Sequence, residues 1–266
     1  MILYKYHGCG NDFLITSFDE NIDYSLYAKK ICHRKLGIGA DGLIVDEYPK
    51  MHFYNQDGSK ASMCGNGIRC YVRYLYEVLH IEEEQYVINV KDCKYLCKIL
   101  DYTTFNMSVN LNQPKFSKNV MQTVNEDFEK NFYYQNKKIT LYNIFLSTMH
   151  VVIFVTTFHH LDENLARFIS NNPYYQNGCN VNFVKIINDK ELQVVTYEKG
   201  VGFTKACGSG VASSFVVCQK LGLCGKHITC HLELGVLEVY ENNDIYLIGN
   251  SHFLYQMKVE EQDGLC

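Results

Sequence analysis

The chain has 266 residues, of which 47% are hydrophobic and 20% charged, with only 3 prolines and a net charge of −4. At roughly 150 residues per domain, this is one large domain or two ordinary ones, long enough to bury a sizeable core. The balance excludes a disordered or collagen-like chain, and the absence of a net basic field argues against nucleic acid or an anionic membrane as partner.

Strand-like runs dominate, rich in Val, Ile, Tyr, Phe and Thr and punctuated by Asn, Asp and Gly. In the first half they are ILYKYH (2–7), DFLITSF (12–18), LIVDEY (43–48), MHFYNQ (51–56), YVINV (86–90), the alternating stretch VKDCKYLCKIL (90–100) and FNMSVNL (105–111). The second half adds KITLYNIFL (138–146), HVVIFVTT (150–157), VNFVKII (181–187), LQVVTYE (192–198), HITCHL (227–232), VLEVY (236–240) and DIYLIG (244–249). Four segments carry helical periodicity: 21–34, 64–78, 160–171 and 207–222. The polar segment 119–138 has a weak pattern and is expected to be the passage between two domains.

Twelve cysteines stand out. There is no CxxC pair, and MILYKYHGCG lacks the basic start and apolar run of a secretory signal, so a reduced cytoplasmic protein without a structural metal is expected. No run approaches the roughly 18 apolar residues that span a bilayer.

Two cysteines share a context. Cys64-Gly-Asn-Gly-Ile and Cys207-Gly-Ser-Gly-Val each open an apolar helical segment, one in each half of the chain. A helix N-terminus offers unpaired backbone N–H groups and a positive dipole end, which bind anions and favour a thiolate. Glycines there let a ligand approach the backbone closely. Paired in one site, such turns suit a two-base proton transfer without a cofactor: one thiolate removes a proton from a carbon and the other thiol returns one to the opposite face. A redox dithiol, a cysteine hydrolase with His150 as base, a carboxylate-binding domain pair and simple helix capping remain open on these residues alone.

The motifs resemble those of the diaminopimelate epimerase family of cofactor-independent two-cysteine racemases and epimerases. They comprise His7 to Phe13 (HGCGNDF), Arg34 to Leu43 (RKLGIGADGL), Asn55 to Ser59 (NQDGS), Met63 to Cys70 (MCGNGIRC), Asn180 to Phe183 (NVNF), Glu198 to Gly202 (EKGVG) and Ala206 to Gly210 (ACGSG), in family order over nearly the whole chain. The resemblance implies an α/β fold of the α+β type. It has two pseudo-symmetric domains, each a curled, mainly antiparallel sheet around a central helix, with the active site in the cleft between them. Residues 1–115, completed by a C-terminal strand at 252–266, would form the first domain and residues 116–251 the second.

Carried over to this chain, the resemblance makes Cys64 and Cys207 the acid–base pair, with His150 and Glu198 near the reacting thiols. Gly65, Asn66, Gly208 and Ser209 would cradle the α-carboxylate, while Asn11, Asn55 and Asn180, together with Thr148 and Lys199, take substrate-contacting positions. It implies a small-molecule amino-acid substrate, no cofactor, no metal and a homodimer. The other ten cysteines are expected to be packing residues.

Departures fall at the end of the site that would read the far side of a substrate. Ser147-Thr148-Met149-His150 replaces Gly-Asn-Pro-His, Lys199 replaces an arginine, Phe203 replaces the acid of Gly-Glu-Thr, and Gly42 stands where a glutamine is common. A guanidinium fork and an ammonium are not interchangeable at a bidentate site. The expected substrate is therefore a single-centre amino acid such as histidine, with diaminopimelate as the alternative.

Overall fold

The computed structural model of the chain describes residues 1–60, 63–159 and 161–259. It separates into two compact units, Met1–Asn110 together with the chain from Ile248 onward, and Leu111–Leu247. The sequence expectation drew these lines near 115 and 251. The first lies earlier because the Leu111 amide already bonds the Ile245 carbonyl at 2.8 Å. Residues 260–266, the end of the expected C-terminal strand, lie outside the described residues.

In the first unit β1 (Ile2–Gly8) and β2 (Asn11–Ser17) form an antiparallel hairpin. Its two turn residues, Cys9 and Gly10, both have positive φ, +53° and +82°, the conformation whose twist matches a two-residue hairpin. Helix α1 (Tyr24–Ile31) crosses to β3 (Gly42–Glu47), parallel to β2, and β4 (Lys50–Asn55) returns antiparallel. Helix α2 (Gly65–Glu77) makes a second crossover to β5 (Tyr86–Val90), parallel to β4, and β6 (Cys93–Asp101) and β7 (Asn106–Asn110) follow antiparallel. Parallel neighbours cannot be joined by a tight turn, so a helix sits inside each parallel pair.

The second unit repeats this order. After the short helix α3 (Lys118–Met121), β8 (Glu129–Tyr134) pairs antiparallel with β9 (Lys137–Leu146), and β9 with β10 (Thr148–Phe154). Helix α4 (Glu163–Ser170) crosses to β11 (Asn180–Asn188), parallel to β10, and β12 (Glu191–Glu198) returns antiparallel, flanked by the short β13 (Gly202–Thr204). Helix α5 (Gly208–Lys220) leads to β14 (His227–Leu232), parallel to β12, then β15 (Gly235–Asn242) and β16 (Asp244–Asn250). The last strand, β17 (His252–Lys258), pairs with β1. Both units therefore run antiparallel, parallel, antiparallel, parallel, antiparallel, with helices at matching places, as the repeated cysteine motif implied.

The helices fall into two kinds. Helix α1 buries Tyr24, Tyr27, Ala28 and Ile31, one stripe at helical spacing, and its other face is solvated. Helices α2 and α5 are buried nearly all round, from Gly65 to Leu75 and from Gly208 to Cys218, and touch strands across their own sheet. A helix buried on nearly every side has to be enclosed, and the strands of each unit pack around its own central helix. No helix among the described residues is long and apolar enough to cross a membrane.

Some expectations shift. Helix α1 is shorter than 21–34 because the Asp23 carboxylate caps it by accepting from the Ser25 and Leu26 amides. His160, where the third predicted helix begins, lies outside the described residues, and α4 starts after its cap, Asp162. The stretch 119–138 is no passage between units. It lies wholly within the second, where Glu129–Tyr134 pairs along β9, a strand whose polar outward side chains hid its alternation. Among the cysteines expected to be packing residues, Cys93 is exposed and Cys224 half-buried. Cys266 lies outside the described residues.

Gly42 is explained by packing. A Cβ there would lie 2.4 Å from Phe53 Cε2 and 2.7 Å from the Tyr54 carbonyl oxygen. Gly42→Gln should therefore lower stability by about 1–3 kcal/mol through overpacking. Urea unfolding checks this, and a variant as stable as the parent would contradict it.

Candidate active site

Four helices of eight or more residues start from extended N-cap residues, and the caps differ by pair. Asp23 and Asp162 cap α1 and α4 with carboxylates that accept from the second and third amides of the helix. Cys64 and Cys207 cap α2 and α5, and neither helix has an acidic residue in its first turn. A neutral thiol is a poor acceptor, so these two N-termini keep most of their positive character for an anion.

In the first unit the Cys64 sulfur accepts from the Gly67 amide at 3.4 Å and lies 3.6 Å from Asn11 Oδ1. The Asn11 amide group is oriented from behind: its Nδ2 donates to Asp41 Oδ2 at 2.7 Å, which leaves Oδ1 toward Cys64 and toward Asn66 Nδ2 at 3.2 Å. Asn66 Oδ1 in turn accepts from Arg69 Nη2 at 2.7 Å, and the wholly buried Arg69 also donates to the carbonyls of Gly65 and Asn250. Asp41 shares Arg34 with Asp12, each at 2.7 Å, and Asp12 pairs with buried Lys5, whose ammonium also reaches the Gly39 carbonyl.

In the second unit the Cys207 sulfur lies 3.6 Å from Ser209 Oγ, and Ser209 Oγ lies 3.0 Å from His150 Nε2. That nitrogen is also 3.0 Å from Thr148 Oγ1, which accepts from Asn180 Nδ2 at 3.2 Å. Asn180 Oδ1 receives the backbone amide of Lys199 at 2.9 Å. Burial drives the His150 pKa down to about 3, so the ring is neutral at any ordinary pH. Glu198 accepts from Thr204 Oγ1 at 2.6 Å across the β12–β13 pair.

Within each unit several of the expected residues gather at the cysteine. Asn11, Asn66 and Gly65 surround Cys64, and Thr148, His150, Asn180, Ser209 and the Lys199 backbone form one chain of hydrogen bonds ending at Cys207. Asn55 stands at the end of β4, in register with Gly42 and bonded to Ser59, next to the Asp41 that holds Asn11. The Lys199 ammonium donates to the Asn177 carbonyl. Phe203 packs on Tyr197 and Phe183, with ring centroids at 5.4 and 6.1 Å.

The sequence reading assigned no role to Asp41, Arg69, Asn182 or Thr196. The first three stand inside its motifs, and a polar residue at an inward strand position was the signal for the fourth. It also gave the motif glycines the task of admitting a ligand. At Gly210 the reason is different: a Cβ there would lie 2.3 Å from Asn182 Oδ1 and 2.8 Å from Thr196 Oγ1, so this glycine admits a side-chain amide. Burial pushes Cys32, Cys70 and Cys97 up to about 12, as suits inert packing residues.

The family model for diaminopimelate epimerase matches residues 3–116 and 143–254. The chain belongs to the diaminopimelate epimerase family. It is therefore an isomerase acting on amino acids. Among curated family members, diaminopimelate epimerase of Caldanaerobacter subterraneus subsp. tengcongensis is 33% identical over 96% of this chain and 98% of its own. The Clostridium perfringens enzyme of that name is 32% identical over 94% and 96%. These names favour diaminopimelate over the histidine expectation. The fold is shared with a probable proline racemase of Agrobacterium radiobacter (TM-score 0.71, 11% identity, 97% and 92% covered). A hydroxyproline epimerase of Agrobacterium vitis also shares it (TM-score 0.67, 9% identity, 97% and 91% covered).

The charged network behind Asn11 sets an acid limit. Burial works to raise the Asp12 pKa, but Arg34 and Lys5 outweigh it and hold the carboxyl at about 2. This lies below the unfolded value of about 3.9, so the pairing contributes in full above that pH and its contribution is lost as pH falls toward 2. Asp12→Asn also leaves Lys5, 4% exposed, without its carboxylate. The expected loss at pH 7 is about 3–5 kcal/mol. Urea titrations should show the gap to the parent shrinking from about pH 4 to pH 2; a constant gap would contradict the assignment.

Proposed function

We propose that this protein interconverts LL- and meso-diaminopimelate by moving one α-proton, with Cys64 and Cys207 as the two acid–base groups. The observation that carries this reading is the pair of matched, enclosed helices, each N-capped by a cysteine with no acid in its first turn. The names of the family members supply the substrate.

In the forward direction one cysteine, as thiolate, takes the α-proton and becomes a thiol. The electron pair left on the carbon spreads into the α-carboxylate, whose growing charge is met by the backbone N–H groups at the helix N-termini. The other cysteine, as thiol, gives its proton to the opposite face and becomes the thiolate. The product differs only in configuration, and the enzyme is left with its two protonation states exchanged. No electron leaves the system, so the step needs no redox cofactor.

A second reading has its own support. The Lys199 ammonium is engaged by the Asn177 carbonyl, and the Thr148 hydroxyl by His150 and Asn180. A site without a free fork for a second carboxylate suits a single-centre amino acid such as histidine.

Incubation in D2O, followed by proton NMR, decides between them. LL-diaminopimelate should lose its α-proton signal and yield the meso form, while L-histidine keeps its signal. Exchange of histidine alone would transfer the assignment to the second reading. Cys64→Ser and Cys207→Ser should each lower exchange by about a thousandfold or more, since a hydroxyl cannot stand in for the thiolate. Full turnover by either variant would remove the two-base mechanism.

A further inference from the structure

Asn182 is the most buried amide in the second unit's site, and its orientation is determined by its neighbours. The Val151 carbonyl can only accept, so the Asn182 atom 3.0 Å from it is the NH2 nitrogen. On the opposite side Oδ1 accepts from Thr196 Oγ1 at 2.9 Å. A flipped amide would set two carbonyl oxygens against each other in a fully buried place, and an unsatisfied buried acceptor costs about 1–3 kcal/mol. Asn182 and Thr196 are direct cross-strand partners on β11 and β12, so the pair is built into the sheet register.

The same NH2 nitrogen lies 3.2 Å from His150 Nδ1. Nδ1 is then the acceptor, and a neutral imidazole carries its one proton on Nε2. Nε2–H faces two hydroxyl oxygens, Ser209 Oγ and Thr148 Oγ1, each 3.0 Å away. A serine oxygen that accepts there turns its own hydrogen elsewhere, and Cys207 Sγ lies 3.6 Å from it.

We propose that Asn182, held by Thr196, is a positioning residue that locks His150 as the Nε2–H tautomer and so turns the Ser209 hydroxyl onto the Cys207 sulfur. The importance of this orientation for catalysis rests on the proposed acid–base role of Cys207; the tautomer itself does not. A hydroxyl aimed at sulfur stabilises the thiolate form, whereas the Cys64 sulfur faces the acceptor Asn11 Oδ1 and receives its donor from the backbone, the Gly67 amide. The two sulfurs are thereby served by different donors before substrate arrives, a side-chain hydroxyl at Cys207 and a backbone amide at Cys64.

The test is the imidazole spectrum of the whole enzyme labelled with 15N-histidine, with His150 assigned by the signal lost in His150→Gln. The expected result is an unprotonated Nδ1 and a protonated Nε2, constant over about pH 5.5–8.5, where an ordinary histidine titrates. Protonated Nδ1 in the parent enzyme would overturn the proposal. In Asn182→Asp, whose carboxylate accepts, the proton should move to Nδ1. There kcat should fall roughly tenfold or more, with KM little changed and the acidic limb of the pH profile moved upward. Parent-like kinetics with the tautomer reversed would also overturn it.

If the buried acid prevents folding, Thr196→Val removes the hydroxyl that holds Oδ1 and should yield mixed tautomers; an unchanged spectrum would refute the role of Thr196. Since the tautomer is read without substrate, Nε2–H in an enzyme that exchanges no α-proton would uphold the tautomer lock while removing the proposed function.

Discussion

Two helix N-termini capped by sulfur instead of carboxylate are the constraint on which the rest depends. An aspartate at Cys64 or Cys207 would satisfy the first-turn amides and cancel their charge, as Asp23 and Asp162 do at α1 and α4. With cysteine there, and no acid in the first turn, the positive end stays available to a ligand carboxylate. Such a helix end is costly to leave open in a buried setting. Both helices are buried along most of their length against the strands of their own unit.

The two units repeat a topology but orient their sulfurs by different means. Around Cys64 the orienting force is ionic: Arg34 and Lys5 hold two carboxylates, one of which holds the Asn11 amide, and Arg69 holds Asn66. Around Cys207 it is neutral and buried, passing through Thr196, Asn182, His150 and Ser209. Neutral groups in a low-dielectric interior keep their geometry only when every donor has an acceptor, which is why Gly210 has to make room for Asn182 Oδ1. A duplicated fold can therefore present two chemically unequal thiols.

The residues that depart from the family pattern are tied into the structure by their own partners. Thr148 and Lys199 are bound into local hydrogen bonds, and Phe203 is part of an aromatic cluster with Tyr197 and Phe183. A site that loses a polar partner for one end of a substrate loses discrimination there before it loses chemistry. The family's chemistry and this chain's departures are compatible for that reason, since they concern different ends of one molecule.

The sequence by itself determined the two capping cysteines, the four longer helices and nearly all the long strands, because caps, apolar periodicity and turns are set by residues within a few positions of one another. It misread 119–138, where β8 alternates among mostly polar side chains, and it gave Gly210 the wrong reason. Only the tertiary structure decided which way the amides turn. Asn11 is oriented by a residue 30 positions away, and Asn182 by one 14 positions away while acting on another at 32. Amide and imidazole orientation is a matter of which donor faces which acceptor across strands, and a local pattern carries no information about that pairing.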